Sequence, residues 1–232
     1  MSLSCSGQLI LLADSQLLFS RKNNDWFLDR LQSFTNQQSS FAVYIGAANG
    51  NEPAFYEMAQ EAFSSLGIAE SVFLKSGLED LQKHQNKIPS VILLSGGDVQ
   101  QGWQLLSQPD IRNWLLNCYH RGCLLLGISA GAIHLTNALD IDSNITPLLN
   151  LLPVIPLAHE ENEDWPGETR YLTALELKGE ALSLETGEPL FCLKLPFGSG
   201  VWVNSSGMVT FGKNPAQLQQ QNSQIELCYH ED

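Results

Sequence analysis

Five short apolar runs constrain this chain more than any other feature. They lie at Gln8–Leu12, Phe41–Gly46, Ser71–Lys75, Ser90–Ser95 and Gly122–Ile128. Runs of this length that stay apolar, without strict polar alternation, read as strands buried on both faces. Helix-like stretches separate most of them. In Ala54–Leu66 the residues Phe55, Met58, Ala59, Ala62, Phe63 and Leu66 keep the 3.6-residue period and Gly67 supplies a stop, which predicts an amphipathic helix facing the core. Ile111, Trp114, Leu115, Cys118 and Tyr119 repeat the pattern after Pro109-Asp110, and Arg121-Gly122 ends it. Such alternation predicts an α/β fold: a mostly parallel sheet with helices on both faces, joined by right-handed crossovers. Function in such a fold gathers at the carboxyl ends of the strands.

A chain of 232 residues with 44% hydrophobic content is accommodated most simply as one α/β domain spanning 1–232. Beyond about Leu152 the strand-like pieces shorten, near Pro189–Leu195, Ser199–Val203 and Met208–Phe211. They are expected to add β-hairpins to the same sheet. The Gln- and Asn-rich segment 215–224 reads as a flexible polar stretch. A formal charge of −13 argues against nucleic acid and anionic membrane surfaces as partners. No 18-residue apolar run and no basic, then apolar, leader are seen, so a cytoplasmic location is expected. Five cysteines without metal-type spacing fit reduced thiols, with Cys118 and Cys123 in the core.

The segment with the clearest chemistry follows the last of the five runs. Cys123-Leu124-Leu125-Leu126 reads as a buried strand, Gly127-Ile128-Ser129-Ala130-Gly131 comes next, and Ala132-Ile133-His134-Leu135 looks helical. A serine at so tight a strand-to-helix turn projects its Oγ at the top of the sheet, as a nucleophile elbow requires. The flanking glycines leave room for close backbone. Taken alone, the pentapeptide fits equally a glycine-rich helix start with Ser129 as N-cap. A second glycine turn, Ser95-Gly96-Gly97-Asp98, closes the strand Val91–Leu94 ahead of a helix over Val99–Leu106. Amides at Gly97 or Asp98, together with that of Ala130, are candidates for an oxyanion hole; the simpler reading of Asp98 is a helix N-cap.

A serine nucleophile needs a base, and there are five histidines. His84 sits in polar sequence, His120 ends a helix, His134 points along its own helix and His230 lies in the tail. His159, directly after the apolar run Val154–Ala158, is where a strand would deliver a side chain to the sheet's carboxyl edge. The competing reading is a surface histidine among Glu160, Glu161 and Glu163. His159-Glu160 begins a zinc-protease pattern that fails at position 163, which is Glu, so no metal or other cofactor is expected. For the orienting carboxylate Glu185 is the first candidate, with Glu188 and Asp142 in reserve.

Three segments then resemble one family. The turn Ser95-Gly96-Gly97-Asp98, the elbow Gly127-Ile128-Ser129-Ala130-Gly131-Ala132 and a Pro-x-x-His segment running to Arg170-Tyr171-Leu172 are similar to the serine peptidases that include aspartyl dipeptidase and cyanophycinase. Tyr44-Ile45-Gly46-Ala47-Ala48-Asn49 is similar too, and the likeness spans roughly residues 40–210. The resemblance implies a flavodoxin-like sheet of the class I glutamine amidotransferase type. It also implies Ser129 as nucleophile, His159 as base, an acid near Glu185, and Gly97, Asp98 and Ala130 around the oxyanion. Cleavage after aspartate or at β-aspartyl linkages of a small peptide is implied, with Arg170 holding the acidic group and a homodimer as the assembly. Five acids between Glu160 and Glu168 would repel such a substrate unless they point away.

Two other functions fit the same motif. An α/β-hydrolase esterase would need a late histidine, for which only His230 is available. A silent binding protein would keep the fold without the chemistry. The partner of Ser129 Oγ distinguishes the three: His159 for the peptidase, His230 for the esterase, neither for the binder.

Overall fold

The computed structural model describes residues 7–19, 31–32, 41–84, 86–141, 144–167, 191–212, 214–220, 223–225 and 227–229. The apolar runs form strands β1 (Gln8–Leu12), β2 (Phe41–Ile45), β3 (Glu70–Leu74), β4 (Val91–Leu94) and β5 (Leu124–Ile128). All five are parallel, in the order β1-β5-β4-β2-β3. In β1 the side chains of Leu9 to Leu12 are all fully buried. Leu9 and Leu11 join one core and Ile10 and Leu12 the other, so the two-residue period splits one apolar run between the two faces of the sheet.

The helices follow the same division. After a short helix α1 (Gln16–Phe19), helix α2 (Pro53–Ser65) covers one face through Ala59, Phe63 and Leu66. Helices α3 (Val99–Leu106) and α4 (Pro109–His120) cover the other through Leu105, Leu106, Ile111, Leu115 and Cys118. Helix α2 ends with the Gly67 amide on Ser64 O and the Ile68 amide on Phe63 O, and Gly67 has φ 77°, a left-handed turn that glycine adopts without a side-chain penalty. Its first turn differs from expectation. Phe55 and Met58 are 50% and 40% exposed, because the helix overhangs a cavity there instead of packing on the sheet.

The C-terminal part divides between two sheets. Strands β10 (Ser199–Asn204) and β11 (Gly207–Gly212) form the expected hairpin, and β10 runs antiparallel to β1, extending the main sheet. A second sheet, separate from the first, is built from β8 (Val154–Ala158), β9 (Phe191–Leu195), β12 (Gln217–Gln220) and β13 (Ser223–Ile225) in the order β13-β12-β9-β8. Pro189–Leu195 was expected to join the main sheet; its strand pairs with β8 and β12 instead. The segment 215–224, expected from composition to be loose, contributes β12 and β13, whose pairing needs only backbone groups. Buried Val154, Leu193, Leu195 and Leu218 carry the inner face of this sheet into the core beneath the main sheet. A further hairpin pairs β6 (Ala138–Ile141) with β7 (Asn144–Pro147).

Cys118, Cys123 and Cys192 are free thiols, all buried. Burial pushes the Cys118 thiol up to about 12, so it stays protonated and acts as a core residue. Among the described residues no helix is long and apolar enough to cross a membrane.

Candidate active site

The elbow is fixed by backbone. Strand β5 ends at Ile128, the Ser129 amide donates to Leu12 O at 2.8 Å, and helix α5 (Ala130–His134) starts at once, with the Ile133 amide on Ser129 O. Ser129 therefore has φ 48° and ψ −109°, a conformation that costs a non-glycine residue about 1–3 kcal/mol. The glycines on either side answer to space. A Cβ at Gly127 would enter Gly131 O, and one at Gly131 would enter Leu94 O on β4. The helix start thus sits hard against two strands, and the serine is forced outward.

The second sheet brings the histidine. His159 is the first residue after β8, and its amide donates to Leu195 O at the end of β9 at 2.8 Å. Its φ is 46°, which turns the ring off the strand direction. Main-chain bonds keep the two sheets in register. The Asn137 amide, just after α5, reaches Val154 O at the start of β8, and Thr136 bridges Leu152. In the result Ser129 Oγ and His159 Nε2 lie 2.9 Å apart. With the ring proton on Nδ1, Nε2 accepts the hydroxyl hydrogen, the state a general base requires. Among the described residues no carboxylate is bonded to Nδ1. Glu185, Glu188, Asp142, Arg170 and His230 all lie outside the described residues.

The glycine turn after β4 stands beside the elbow. A Cβ placed on Gly96 would be 3.4 Å from Ser129 Cβ. Gly97 has φ 136°, and a Cβ there would enter Ala48 O, so only glycine fits. The two oxyanion candidates in this turn are not equivalent. The Asp98 amide already donates to Ala48 O at 2.7 Å, and the Asp98 carboxylate accepts the Gln101 amide at 2.7 Å as the N-cap of α3. Asp98 is therefore a structural residue, correcting its place among the oxyanion donors. Among the described residues the amides of Gly97 and Ala130 have no acceptor.

Two acids beside His159 hold loops. Glu160 Oε2 accepts the Gly167 amide, and Glu161 Oε1 accepts that of Phe197. Asp14, just beyond β1, accepts the Gly198 amide at 2.6 Å, so Asp14 and Glu161 clamp the β9–β10 turn at the rim of the site. Sequence reasoning missed both, since their partners are distant in the chain. Two other described histidines are engaged elsewhere. His84 pairs with Glu70 at 3.0 Å and stacks on Phe41, and buried His134 donates from Nε2 to Val99 O. Desolvation lowers the His134 pKa to about 4, partly offset by the bond to Val99 O. His134 is thus a neutral tie between α5 and α3.

A Ser-His pair on a strained elbow, beside an open glycine amide at the carboxyl edge of a parallel sheet, is the layout of a serine hydrolase. The family model of peptidase family S51 matches residues 9–164, a span that includes both members of the pair. The chain belongs to peptidase family S51. As an S51 protein it is a serine peptidase-like hydrolase, on the flavodoxin-like sheet that the family resemblance implied. Among solved structures, a peptidase from an acI-B1 Actinobacterium has the same fold with a TM-score of 0.72 at 17% identity, covering 99% of this chain and 97% of its own. A candidate peptidase E protein from Listeria monocytogenes EGD-e follows at a TM-score of 0.60 and 17% identity, covering 90% and 99%. Identity this low carries the fold alone. No curated protein matches this S51 chain.

Proposed function

We propose that this protein hydrolyses short peptides through an acyl-enzyme formed on Ser129. His159 Nε2 takes the Ser129 hydroxyl proton as Oγ bonds to the substrate carbonyl carbon. The carbonyl π electrons move onto oxygen, and the amides of Gly97 and Ala130 hold the resulting oxyanion. When the tetrahedral species collapses, the C–N bond breaks and His159 returns its proton to the leaving amine. Water, deprotonated by His159, then attacks the ester, and Ser129 recovers its proton as the acid product leaves.

The observation that carries this reading is the 2.9 Å contact between Ser129 Oγ and His159 Nε2 on an elbow that holds the serine at positive φ. That contact is the one set out for a peptidase, as distinct from an esterase built on His230. The test is a panel of Asp-X dipeptides, β-aspartyl peptides, uncharged dipeptides and simple esters, run on wild type and Ser129→Ala with a fluorophosphonate probe in parallel. Peptide turnover and covalent labelling are expected in wild type, and both vanish in the variant. Hydrolysis that survives Ser129→Ala defeats the proposal.

A further inference from the structure

The cavity beneath the first turn of α2 shares a wall with the proposed oxyanion turn. It measures about 230 Å³ and is lined by Gly96, Gly97 and Ile128 on the Ser129 side. Its other walls come from Leu18, Phe55 and Met58, with Leu93 on the sheet beneath. An enclosed apolar cavity of about 150 Å³ admits a benzene ring, so this one has room for a large aliphatic or aromatic side chain. Its polar groups are few and uncharged. Asn49 Nδ2 donates to Tyr44 Oη at 2.8 Å, so that amide is already engaged. Among the described residues no lysine or arginine lines the cavity. Among the described residues, then, a carboxylate placed here would lose its hydration without gaining a cation.

The exposure of Phe55 and Met58 fits the same picture. They sit on the apolar stripe of α2, yet the helix leaves them uncovered at the mouth of the cavity. Gly96 lies close against Ser129, so a peptide whose carbonyl is under attack would hold a neighbouring side chain at this opening. We infer that this cavity is the specificity pocket of the peptidase and that it selects peptides with a large uncharged apolar side chain next to the scissile bond, in preference to aspartyl peptides. The inference rests on the hydrolytic reading proposed above.

The test separates binding from turnover. Acetyl-X-Ala amides and acetyl-Ala-X amides, with X as Phe, Leu or Asp, are titrated calorimetrically into the Ser129→Ala protein. The same peptides are assayed for kcat/KM with wild type. At one of the two positions, Phe and Leu are expected to bind at least about tenfold tighter than Asp and to lead by a similar factor in kcat/KM. Met58→Lys, at a partly exposed helix position, should cancel or reverse that preference, and Phe55→Ala should weaken Phe and Leu while sparing Asp. Aspartyl peptides that bind or turn over best, or a preference that survives Met58→Lys, overturn the pocket while leaving hydrolysis intact. If no peptide is cleaved and Ser129 stays unlabelled, yet Phe binds tightly and loses affinity in Met58→Lys, the pocket stands and the hydrolytic reading falls.

Discussion

Ser129 Oγ and His159 Nε2 meet at 2.9 Å across thirty residues of chain, and both residues hold positive φ, 48° and 46°. Each is bent out of its own sheet toward the other. The Ser129 amide is tied to β1 through Leu12 O, and the His159 amide to β9 through Leu195 O. The rigidity of the pair therefore comes from four strands, and its strain is carried by main-chain bonds. Such pre-organisation is what a nucleophile needs, since a small displacement of either group removes the hydrogen bond on which proton transfer depends.

Removing the proposed base isolates its share of the chemistry. His159→Gln keeps a polar side chain of similar reach and loses the ability to take the hydroxyl proton. A fall of about 10⁴-fold or more in kcat/KM is expected, with KM changing little, because the imidazole acts on the transition state rather than on binding. Steady-state kinetics on the best peptide of the panel, beside circular dichroism to confirm folding, checks this.

Strain at the elbow gives a second prediction, on stability. Alanine at position 129 keeps the penalty of φ 48°, whereas glycine relieves it. Ser129→Gly should therefore be more stable than Ser129→Ala by about 1 kcal/mol, or roughly 2–4 °C in Tm for a chain of this size. Both variants should be inactive. Thermal unfolding of the two proteins side by side decides it, and a less stable glycine variant would show that the elbow is unstrained.

Gly97 and Asp98 are adjacent, and their substitutions should separate cleanly. Gly97→Ala meets both φ 136° and Ala48 O, so the turn must shift and the open amide moves with it. Loss of one oxyanion donor costs about 10²–10³-fold in kcat, and that range is expected here. Asp98→Ala removes the cap on the Gln101 amide and should cost about 1 kcal/mol of stability, with kcat/KM held within a few-fold. Asp98→Asn, which can still cap, should match wild type in a urea titration. A large loss of kcat in Asp98→Asn would return Asp98 to the reaction.

The parts of this architecture that are legible in sequence are those set by local pattern. Gln8–Leu12 and Val99–Leu106 have in the structure the bounds their pattern predicts, and Ser129 stands out because strand, glycine and small-residue helix follow one another without a gap. The rest depends on contacts between distant segments. Whether Gly97 or Asp98 has a free amide is decided by Ala48 O, which arrives from the loop after β2. Phe55 and Met58 have the right period for a core face, but burial depends on what lies opposite, and there the sheet gives way to a cavity. The second sheet is hidden for a similar reason, since β8 finds its partner β9 more than thirty residues on. The polar composition of Gln217–Gln220 conceals a strand held by backbone bonds.

Helix α5, which positions Ser129, is tied to α3 by a buried histidine, and this makes the fold sensitive to acid. His134 is neutral in the native state, with its pKa lowered to about 4 from the ordinary 6.5. Between those values the unfolded chain binds a proton that the native protein does not, so stability falls as pH drops through that window and is fully present above it. The difference corresponds to about 3 kcal/mol at most. His134→Gln retains an amide that can donate to Val99 O and removes the titration. Urea midpoints at pH 7 and pH 5 should differ clearly in wild type and by less in His134→Gln, with the two proteins converging as pH falls. Equal pH dependence in the two proteins would mean that this histidine is not what makes the native state sensitive to acid.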